Sequence, residues 1–378
     1  MATVLHVCET AKGGPATYLN IIAQAVGRRN NAIVLPESHA SYVDADLRQY
    51  RYSHERRGLF PMAKMVASTM RAIREEAPDI LFFHSTFAFV AILFLRLMRV
   101  RQPMLYCSHG WAAHRYAEGS WKRRMVTMIE GQLTRLPDLC ICVSKFDHAF
   151  AEKHGYRGQF ILAENAVVER RKDARSDLFV RYNETGVQTN LLFVGRFDRQ
   201  KGLDLLLKAA ERLAQTRPDI ELHVVGAAVL DAPELREDLP NVTFHGWVAR
   251  SRIDDWYASA DALVLPSRWE GLPLVVPEAY RNETPVIVST RNGMADLVRE
   301  GKTGYTFDPN PENLADLLEV VTADELMSMR PAARALYVKR FAAQRLCDQI
   351  SEIYARFIPA AQATKAEKRH PVPADEAA

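Results

Sequence analysis

The stretch LLFVGRFDRQKGLDLLLKAAERL, residues 191–213, decides the fold class. Its first four residues form an apolar run without alternation, which is typical of a strand buried on both faces of a parallel sheet. A polar turn follows, and from residue 203 the apolar side chains recur with the period of a helix. A strand, a turn and a helix in this order are the beginning of a βαβ unit.

The same alternation extends from this stretch in both directions. Short apolar runs on the amino-terminal side occupy residues 4–7, 32–35, 80–83, 104–107 and 139–143. On the carboxyl-terminal side they occupy residues 221–225, 242–244, 262–265, 285–289 and 304–307. Each run is a predicted strand, and the helical periods between the runs complete further βαβ units.

The organisation predicts two doubly wound α/β domains, at residues 1–165 and 166–344. The polar, charged segment 168–190 is the candidate linker. The last helical region covers about residues 333–357, and residues 361–378 have too little apolar content to pack, which predicts a disordered tail. Open α/β sheets bind ligands at the carboxyl ends of their strands, so we expect a site in a cleft between the domains.

The bulk properties exclude several classes of protein. A net charge of +3 over 378 residues does not indicate nucleic-acid binding. The amino-terminal sequence lacks the features of a signal peptide, and the most apolar window, residues 87–100, is interrupted by Arg96 and Arg99 and is too short to span a bilayer. The five cysteines lack zinc-type spacing, so we predict a cytoplasmic protein without disulfides or a structural metal.

An acidic segment, PSRWEGLPLVVPEAYRNETPVIVS at residues 266–289, carries the strongest chemical signal. Glu270 stands in a loop after a predicted strand, Gly271 permits close backbone approach, and Pro273 is suited to the first position of a helix. Pro277 fits the first turn, and Glu278 follows it. Two carboxylates would then flank a helix start whose free amides bind anions, while each carboxylate accepts hydrogen bonds from a sugar diol. The alternative is that Glu270 caps a helix and Glu278 is solvated.

A basic segment lies after the predicted strand at residues 191–194. Arg196 follows Gly195, and Lys201 comes five residues later, before a helix. Arginine binds phosphate oxygens bidentately and lysine acts as a point charge, so both cations fit a site for a diphosphate leaving group. The alternative is a pair of surface cations in a polar turn.

Glycines and histidines mark the corresponding places in the first domain. Gly13 and Gly14 follow the first strand and precede a helix, but they do not form the GxGxxG pattern of dinucleotide-binding proteins. His84 and His109 each follow a predicted strand, whereas Ser144 is better interpreted as a helix cap.

Together these segments resemble the retaining GT-B enzymes of glycosyltransferase family 4, over about residues 1–345. The spacing Glu270-x7-Glu278 is similar to the acidic pair of that family. The resemblance implies that Glu270 holds the hydroxyls of a donor sugar and Glu278 the ribose, while Arg196 and Lys201 neutralise the diphosphate. His109 would face the donor sugar, and a final helix at about 345–360 would cross back to the first domain. The remaining donor-site positions that it implies are Gly13, Gly14, Gly195, Gly226, Gly246, Trp247, Val248, Gly271, Leu272, Pro273, Leu274 and Val275.

Two positions depart from the family pattern. Pro273 stands where many members have glycine, although proline is an accepted variant. Glu283 stands where the helix commonly ends in glycine before a Thr-Pro pair.

The activity implied by the resemblance is transfer of a hexose from a UDP- or GDP-sugar to a glycan or lipid-linked acceptor, with retention of configuration, in cell-surface polysaccharide biosynthesis. The nucleotide-sugar is a co-substrate, and neither a cofactor nor a metal is expected because the catalytic loops contain no DxD motif. The aromatic and basic segment 114–124 suits the inner face of an anionic membrane, the alternative being a solvated basic helix.

Two other functions fit the same features. A nucleotide-sugar 2-epimerase of GT-B fold would share the donor site without needing an acceptor. A non-catalytic GT-B scaffold would bind a partner protein, but the presence of Arg196, Lys201, Glu270 and Glu278 argues against it.

Overall fold

A computed structural model describes residues 2–53, 58–180, 182–183, 186–228 and 238–358. The predicted tail at 361–378 lies outside the described residues. The chain divides into two compact units, one formed by residues up to Asn165 and from Ala343 onward, the other by Ala166–Ala342. Each unit is built on a parallel sheet, which confirms the predicted α/β class with two Rossmann-like domains.

In the described part of the first unit the sheet has seven parallel strands in the order β3-β2-β1-β4-β5-β6-β7. The strands are β1 (Val4–Cys8), β2 (Asn31–Pro36), β3 (Arg48–Tyr52), β4 (Ile80–His84), β5 (Met104–Cys107), β6 (Leu139–Cys142) and β7 (Phe160–Leu162). The central strands are the apolar runs of the sequence. The edge strands β3 and β7 were not predicted, because an edge strand need not be apolar on both faces.

Helices connect these strands. They are α1 (Gly14–Ile22), α2 (Leu59–Glu76), α3 (Ala88–Leu97), α4 (Trp121–Leu133) and α5 (Lys145–Lys153), with 3-10 segments at Arg28–Asn30, Glu37–Tyr42 and Ala112–Arg115. Ser144 caps α5 by accepting a hydrogen bond from the Asp147 amide at 3.0 Å, as predicted. No helix among the described residues is both long enough and apolar enough to cross a membrane.

The described part of the second unit contains a two-stranded antiparallel ribbon and a parallel six-stranded sheet in the order β12-β11-β10-β13-β14-β15. The strands are β8 (Tyr182–Asn183), β9 (Gly186–Val187), β10 (Thr189–Val194), β11 (Ile220–Val225), β12 (Val242–Gly246), β13 (Ala262–Leu265), β14 (Val286–Ser289) and β15 (Gly304–Phe307). The helices are α6 (Leu203–Thr216), α7 (Ile253–Ser259), α8 (Val275–Arg281), α9 (Pro311–Val320) and α10 (Ala323–Leu336), with a 3-10 segment at Arg291–Leu297 and a π-helical turn at Tyr337–Phe341.

Alternate residues of β10 enter two separate cores, which explains why this strand is an unbroken apolar run. Leu191 and Phe193 pack with residues of α6 and α9. Leu192 points to the opposite face and packs with residues of α7, α8 and α10. The second sheet is therefore covered on both faces, as a doubly wound fold requires.

The prediction that the polar segment 168–190 is a linker is wrong for those of its residues that the structure describes. Arg171 pairs with the buried Asp255 at 2.5 Å, and Phe179 stacks on His223 with ring centroids 3.7 Å apart. The polar composition favoured a free segment, since composition alone does not show that Arg171 pairs with a buried carboxylate of the same unit. Residues 168–180 belong to the second unit.

The predicted helix at 333–357 is interrupted, since Ala342 is extended between the π-helical turn and a separate helix, α11 (Ala343–Ala355). This helix returns to the first unit and packs against α1. Cys347 Sγ donates to the Ile21 carbonyl and Ser351 Oγ to the Ala25 carbonyl, at 3.2 and 2.8 Å. All five cysteines are buried and unpaired.

Candidate functional site

Lys201 and Glu270 form an ion pair at the carboxyl ends of two neighbouring strands. Lys201 follows β10 and Glu270 follows β13, and the two strands are paired in the sheet. The Lys201 Nζ lies 2.7 Å from Glu270 Oε1, and their side chains are only 14% and 8% exposed. Ser267 Oγ and Gln200 Nε2 donate to the same carboxylate at 2.9 and 3.3 Å. The two residues identified separately in the sequence thus form one polar cluster.

The loops that carry this pair are fixed to each other. Arg268 donates to both carboxylate oxygens of Asp204 at 2.7 and 2.6 Å, and its amide donates to the Gln200 carbonyl at 2.8 Å. Gly202 has a φ of 68°, and a Cβ there would lie 2.2 Å from the Pro266 carbonyl oxygen. This close approach requires glycine and holds Lys201 against Glu270.

Arg196 lies apart from this pair. Its guanidinium bonds to Asp198 at 3.0 Å and its side chain is 54% exposed. In turn, Asp198 Oδ1 accepts the Lys201 amide at 3.0 Å, so one aspartate connects the two cations. Arg196 therefore stays accessible to an anion, whereas Lys201 is already engaged by a carboxylate.

The acidic segment differs from the prediction in one detail. Helix α8 begins at Val275, two residues after Pro273, so Pro273 does not occupy its first turn. The chain instead makes a turn in which the Val276 amide donates to the Pro273 carbonyl at 3.1 Å. The amides of Gly271, Leu272 and Leu274 donate to no acceptor in the described parts of the chain. Three backbone donors thus remain beside Glu270 for a ligand.

Glu278 lies on α8 and is half-buried. Its Oε2 accepts a hydrogen bond from the Tyr257 hydroxyl at 3.0 Å. Removal from solvent raises the pKa of the Glu278 carboxyl, and this effect is opposed by the nearby Arg281 and by the Tyr257 hydrogen bond. Tyr257 was not identified in the sequence, because its position opposite Glu278 depends on how α7 packs against α8.

Two glycines allow the strand ends to approach each other. A Cβ on Gly226 would lie 1.8 Å from the carbonyl oxygen of Gly195, so the loops after β10 and β11 could not come this close with any other residue. The Gly226 amide donates to the Gly246 carbonyl at 2.8 Å. Beyond Gly246, Trp247 is 75% exposed and Val248 is half-buried. An aromatic face thus lies open at the end of β12.

In the first unit, Gly13 and Gly14 come at the start of α1. Gly13 has a φ of 62° with open space where a Cβ would be, and α1 begins at Gly14.

The predicted exposed basic segment is partly wrong, because His114 is buried and bonded to Asp147 at 3.0 Å. The exposed cations of this segment include Arg115, at the end of a 3-10 turn, and Lys122 and Arg124 on α4.

His109 is the last member of a hydrogen-bonded row of side chains that crosses four neighbouring strands. Asn31 on β2 bonds to His6 on β1 at 3.0 Å, and His6 bonds to His84 on β4 at 3.2 Å. His84 bonds to His109, which follows β5, at 3.1 Å. We call these four residues the first relay. Asn31 and His6 were missed in the sequence because only the strand order brings them into line.

Burial makes the imidazoles of the first relay neutral at pH 7. It lowers the pKa of His6 to about 4 and that of His109 to about 4. Burial, together with the neighbouring His109 and His6, also lowers the pKa of His84. The Nδ1 atom of His109 is buried and has no hydrogen-bond partner in the described chain.

The second unit contains a shorter row of the same kind, the second relay. Asn190 on β10 bonds to His223 on β11, which bonds to His245 on β12, both at 3.1 Å. Burial lowers the pKa of His223 to about 3, and it also lowers the pKa of His245. His245 is half-buried and lies two residues before Trp247.

Comparison with known proteins gives a consistent family description for both units. Residues 13–162 match the family described as "Glycosyl transferase 4-like domain". Residues 175–336 match the family described as "Glycosyl transferases group 1". The chain is also 24% identical over 362 residues to an "Uncharacterized 41.2 kDa protein in cps region" of Klebsiella pneumoniae, covering 94% of this chain and 99% of that protein.

Solved structures with similar folds include a sucrose-phosphate synthase and a complex of HepE with UDP-glucose. Sucrose-phosphate synthase from Thermosynechococcus elongatus superposes with a TM-score of 0.80 at 20% identity, over 97% of this chain and 100% of that one. HepE from Anabaena, in complex with UDP-glucose, superposes with a TM-score of 0.75 at 18% identity, over 94% of this chain and 100% of that one. At these identities the likeness establishes the fold.

Proposed function

Because the chain is a glycosyltransferase with the GT-B fold, we propose that it transfers a hexose from a nucleoside-diphosphate sugar to a glycan or lipid-linked acceptor, with retention of configuration. The observation that carries this proposal is the Lys201–Glu270 pair beside free backbone amides. At one sheet edge, a cation and N–H donors match the diphosphate of such a donor, and a carboxylate matches the hydroxyls of its sugar.

The donor contacts follow from the chemistry of each group. Glu270 accepts hydrogen bonds from hydroxyls of the hexose, and Glu278 from the ribose diol. Arg196 and Lys201 bind the diphosphate, and the amides of Gly271, Leu272 and Leu274 add further donors. The exposed Trp247 offers a face for the base. HepE, a protein of similar fold, binds UDP-glucose, which supports a UDP-sugar as the first donor to test.

The reaction is front-face displacement. The C1–O bond to the diphosphate breaks, the acceptor hydroxyl attacks from the same face, and the leaving phosphate takes its proton. Negative charge grows on the diphosphate, so the fixed cations Arg196 and Lys201 stabilise the transition state more than the ground state. The site proposed here uses protein cations alone, without a cofactor or a metal.

A membrane-bound acceptor is supported by two exposed apolar stripes in the first unit. They consist of Val90, Leu93, Phe94 and Leu97 on α3, and of Trp121, Met125, Met128 and Ile129 on α4. Leu97 is 74% and Trp121 66% exposed, and the exposed cations Lys122 and Arg124 lie on the same helix as Trp121. Apolar side chains flanked by cations suit an anionic bilayer surface. We propose that the enzyme works at the inner face of the membrane, on precursors of surface polysaccharide.

The donor is identified by thermal shift and hydrolysis with UDP-, GDP-, ADP- and dTDP-sugars, with and without EDTA. We expect one nucleotide series to stabilise the protein and release nucleoside diphosphate slowly, with EDTA having no effect. The anomeric configuration of the hydrolysis product, read by NMR, tests retention. If no nucleotide-sugar binds, the donor site is wrong; if donor alone yields a 2-epimer, the protein is an epimerase.

The membrane proposal is tested by co-sedimentation with vesicles of anionic or zwitterionic lipid. We expect the wild type to sediment with anionic vesicles, and the double variant Leu97→Ser with Trp121→Ser to stay in solution. Val320→Ser is the matched control, because Val320 is an equally exposed residue of the second unit at 72%. Equal sedimentation of all three proteins would contradict a surface at α3 and α4.

A further inference from the structure

We propose that Asn31, His6 and His84 are positioning residues, which fix the tautomer of His109 so that its Nδ1 accepts a hydrogen bond from a substrate hydroxyl. The identity of that ligand rests on the proposed function, whereas the tautomer does not.

Asn31 sets the direction of the first relay. Its Nδ2 donates to the backbone carbonyls of Ala23 and Gly27, both at 2.9 Å. Rotating the amide would place Oδ1 against two carbonyl oxygens, so this orientation is fixed. Oδ1 therefore faces His6 Nε2 at 3.0 Å and can only accept, which requires the proton of His6 to be on Nε2.

The same requirement passes along the remaining rings. A neutral His6 with its proton on Nε2 offers Nδ1 as an acceptor, so His84 Nε2 must donate to it across 3.2 Å. His84 then offers its own Nδ1, and His109 Nε2 must donate across 3.1 Å. Because burial lowers the pKa of all three imidazoles, each ring carries a single proton. All hydrogen bonds of the first relay therefore point in the same direction. His109 Nδ1 is left with a lone pair and no proton.

The surroundings of His109 reinforce this state. Tyr18 on α1 packs edge-on against His109, with ring centroids 5.0 Å apart, and Cys107 precedes it on β5. Burial raises the pKa of the Tyr18 hydroxyl and that of the Cys107 thiol, the latter to about 12, so both are uncharged at pH 7. On the neighbouring strand β1, burial likewise raises the pKa of the Cys8 thiol. No charge on these neighbours favours a second proton on His109.

His109 Nδ1 needs a partner that this part of the chain does not supply. A buried acceptor without a hydrogen bond costs free energy, and in native structures such atoms commonly serve a ligand or water. The backbone of His109 has a φ of 53°, a conformation uncommon for residues other than glycine. An unsatisfied atom and a strained backbone at one residue are typical of a binding position. A hydroxyl donor satisfies Nδ1, whereas a phosphate oxygen would repel it.

Cys107 gives the first relay an alternative use. The Cys107 Sγ, one ring nitrogen of His84 and one of His109 lie within 4.8 Å of one another. These three atoms could hold a metal ion. The hydrogen bond between the two histidines already uses the facing nitrogens. A metal would displace that proton, so the tautomer experiment separates the two arrangements.

The test is long-range 1H–15N NMR of the full chain labelled at histidine, without substrate, with and without EDTA. We expect the three relay imidazoles to be neutral Nε2–H tautomers at pH 7, unchanged by EDTA. A proton on His109 Nδ1 would overturn the proposal. A change of the His84 and His109 signals upon EDTA treatment would replace it by a metal site.

A matched pair of variants then tests positioning. His84→Asn places an amide oxygen near the Nδ1 position and still accepts from His109, whereas His84→Gln reaches only the Nε2 position and leaves His109 without an acceptor. We expect His84→Asn to keep the Nε2–H tautomer of His109 and most of the donor hydrolysis rate. His84→Gln should give mixed His109 tautomers and lower kcat by about tenfold, the value of one neutral hydrogen bond, with little change in donor KM. Equal rates in both variants would refute positioning. Correct tautomers with no reaction of any donor would instead refute the proposed function.

Discussion

The carboxyl edges of the two sheets carry different chemical groups, although both sheets contain a row of histidines that begins at an asparagine. At the carboxyl edge of the second sheet lie ions: Lys201 with Glu270, and Arg196 with Asp198. At the carboxyl edge of the first sheet lie the neutral imidazoles of His84 and His109. A charged edge suits the diphosphate of a donor, while a neutral edge suits hydroxyl groups, so one fold used twice supports two kinds of recognition.

The two relays differ in how they end. The second relay stops at the half-buried His245, beside the ring of Trp256 at 4.4 Å. The first relay is longer by one imidazole and stops at a buried nitrogen without a partner. Length and a buried ring nitrogen without a partner at the last member therefore distinguish the first relay from the second, which ends among packed rings.

The largest effect is expected at the charged edge. Lys201→Met removes the cation while keeping an unbranched side chain, and we expect kcat to fall on the order of 10³-fold, because a fixed charge at the leaving group is lost. Lys208→Met is the matched control, since Lys208 is an exposed lysine on α6. Donor hydrolysis measures both. Turnover in Lys201→Met equal to that of the control would remove the charge-based distinction between the units.

The next effect concerns the close approach of strand ends in the second unit. A Cβ at Gly226 would lie 1.8 Å from the Gly195 carbonyl oxygen, so Gly226→Ala must displace backbone, and we expect a loss of about 3 kcal/mol in unfolding free energy. Gly246 also has a positive φ, of 66° against 146° at Gly226, but the space around it is open, so Gly246→Ala should cost only about 1 kcal/mol. Urea unfolding measures the difference. Equal losses would show that backbone conformation, and not the carbonyl contact, determines the cost.

Acid should weaken the first unit through its neutral histidines. An unfolded histidine binds a proton near pH 6.5, but His6 and His109 in the fold do so only at about 4. The unfolded state therefore gains protons first as the pH falls, and stability present above pH 6.5 is lost down to about pH 4, by about 2 kcal/mol per histidine between pH 7 and pH 5.

This pH dependence is measured by urea unfolding at the two pH values. His6→Gln retains a donor toward Asn31 and cannot titrate, so it should reduce the loss by one histidine's share. Burial also lowers the pKa of His245, but this side chain is only half-buried. His245→Gln should therefore reduce the loss of stability less than His6→Gln does. An unchanged loss in His6→Gln would mean that other groups carry the acid sensitivity.

The features of the fold that could be predicted from the sequence are those that local residue patterns determine. The central strands are apolar runs, and Lys201 and Glu270 were each placed after a predicted strand, but only the structure shows that these two strands are neighbours. The edge strand β3, with the sequence RQYRY, was missed because its polar side chains look like a loop. The position of Pro273 before α8 was also mistaken, since the helix start depends on a turn that the residue pattern does not encode.

The relays could not be predicted for a different reason. His6 and His84 lie 78 positions apart in the sequence, and Asn31 lies on a third strand. His6 interrupts an apolar run, whereas Asn31 precedes one and His84 follows one. Only the register of β1 against β2 and β4 brings the three side chains into one row. An isolated histidine in a predicted central strand is the available signal, and it identifies a partner only when the strand order is known.

The smallest effect compares helix ends in the two units. Glu283 follows α8 with a φ of 67°, and Ala77 ends α2 with a φ of 44°, both in the left-handed region that glycine adopts without strain. The amides of Glu283 and Thr284 donate to the carbonyls of Tyr280 and Ala279 at 3.1 and 3.0 Å, so the bonding of a glycine-ended helix is complete without the glycine. We expect Ala77→Gly to raise the unfolding free energy by about 1 kcal/mol.

Glu283→Gly should gain less than Ala77→Gly, because it also removes the ion pair between Glu283 and Arg170 at 3.0 Å. Both partners are about one-third exposed, at 36% and 35%, so that pair contributes only up to about 1 kcal/mol. Glu283→Ala loses the pair and keeps the strained backbone, so it should be less stable than Glu283→Gly by about 1 kcal/mol. Unfolding in urea ranks the three variants. Equal stability of Glu283→Gly and Glu283→Ala would mean that the left-handed position carries no cost here, and that this departure from the family's glycine is neutral.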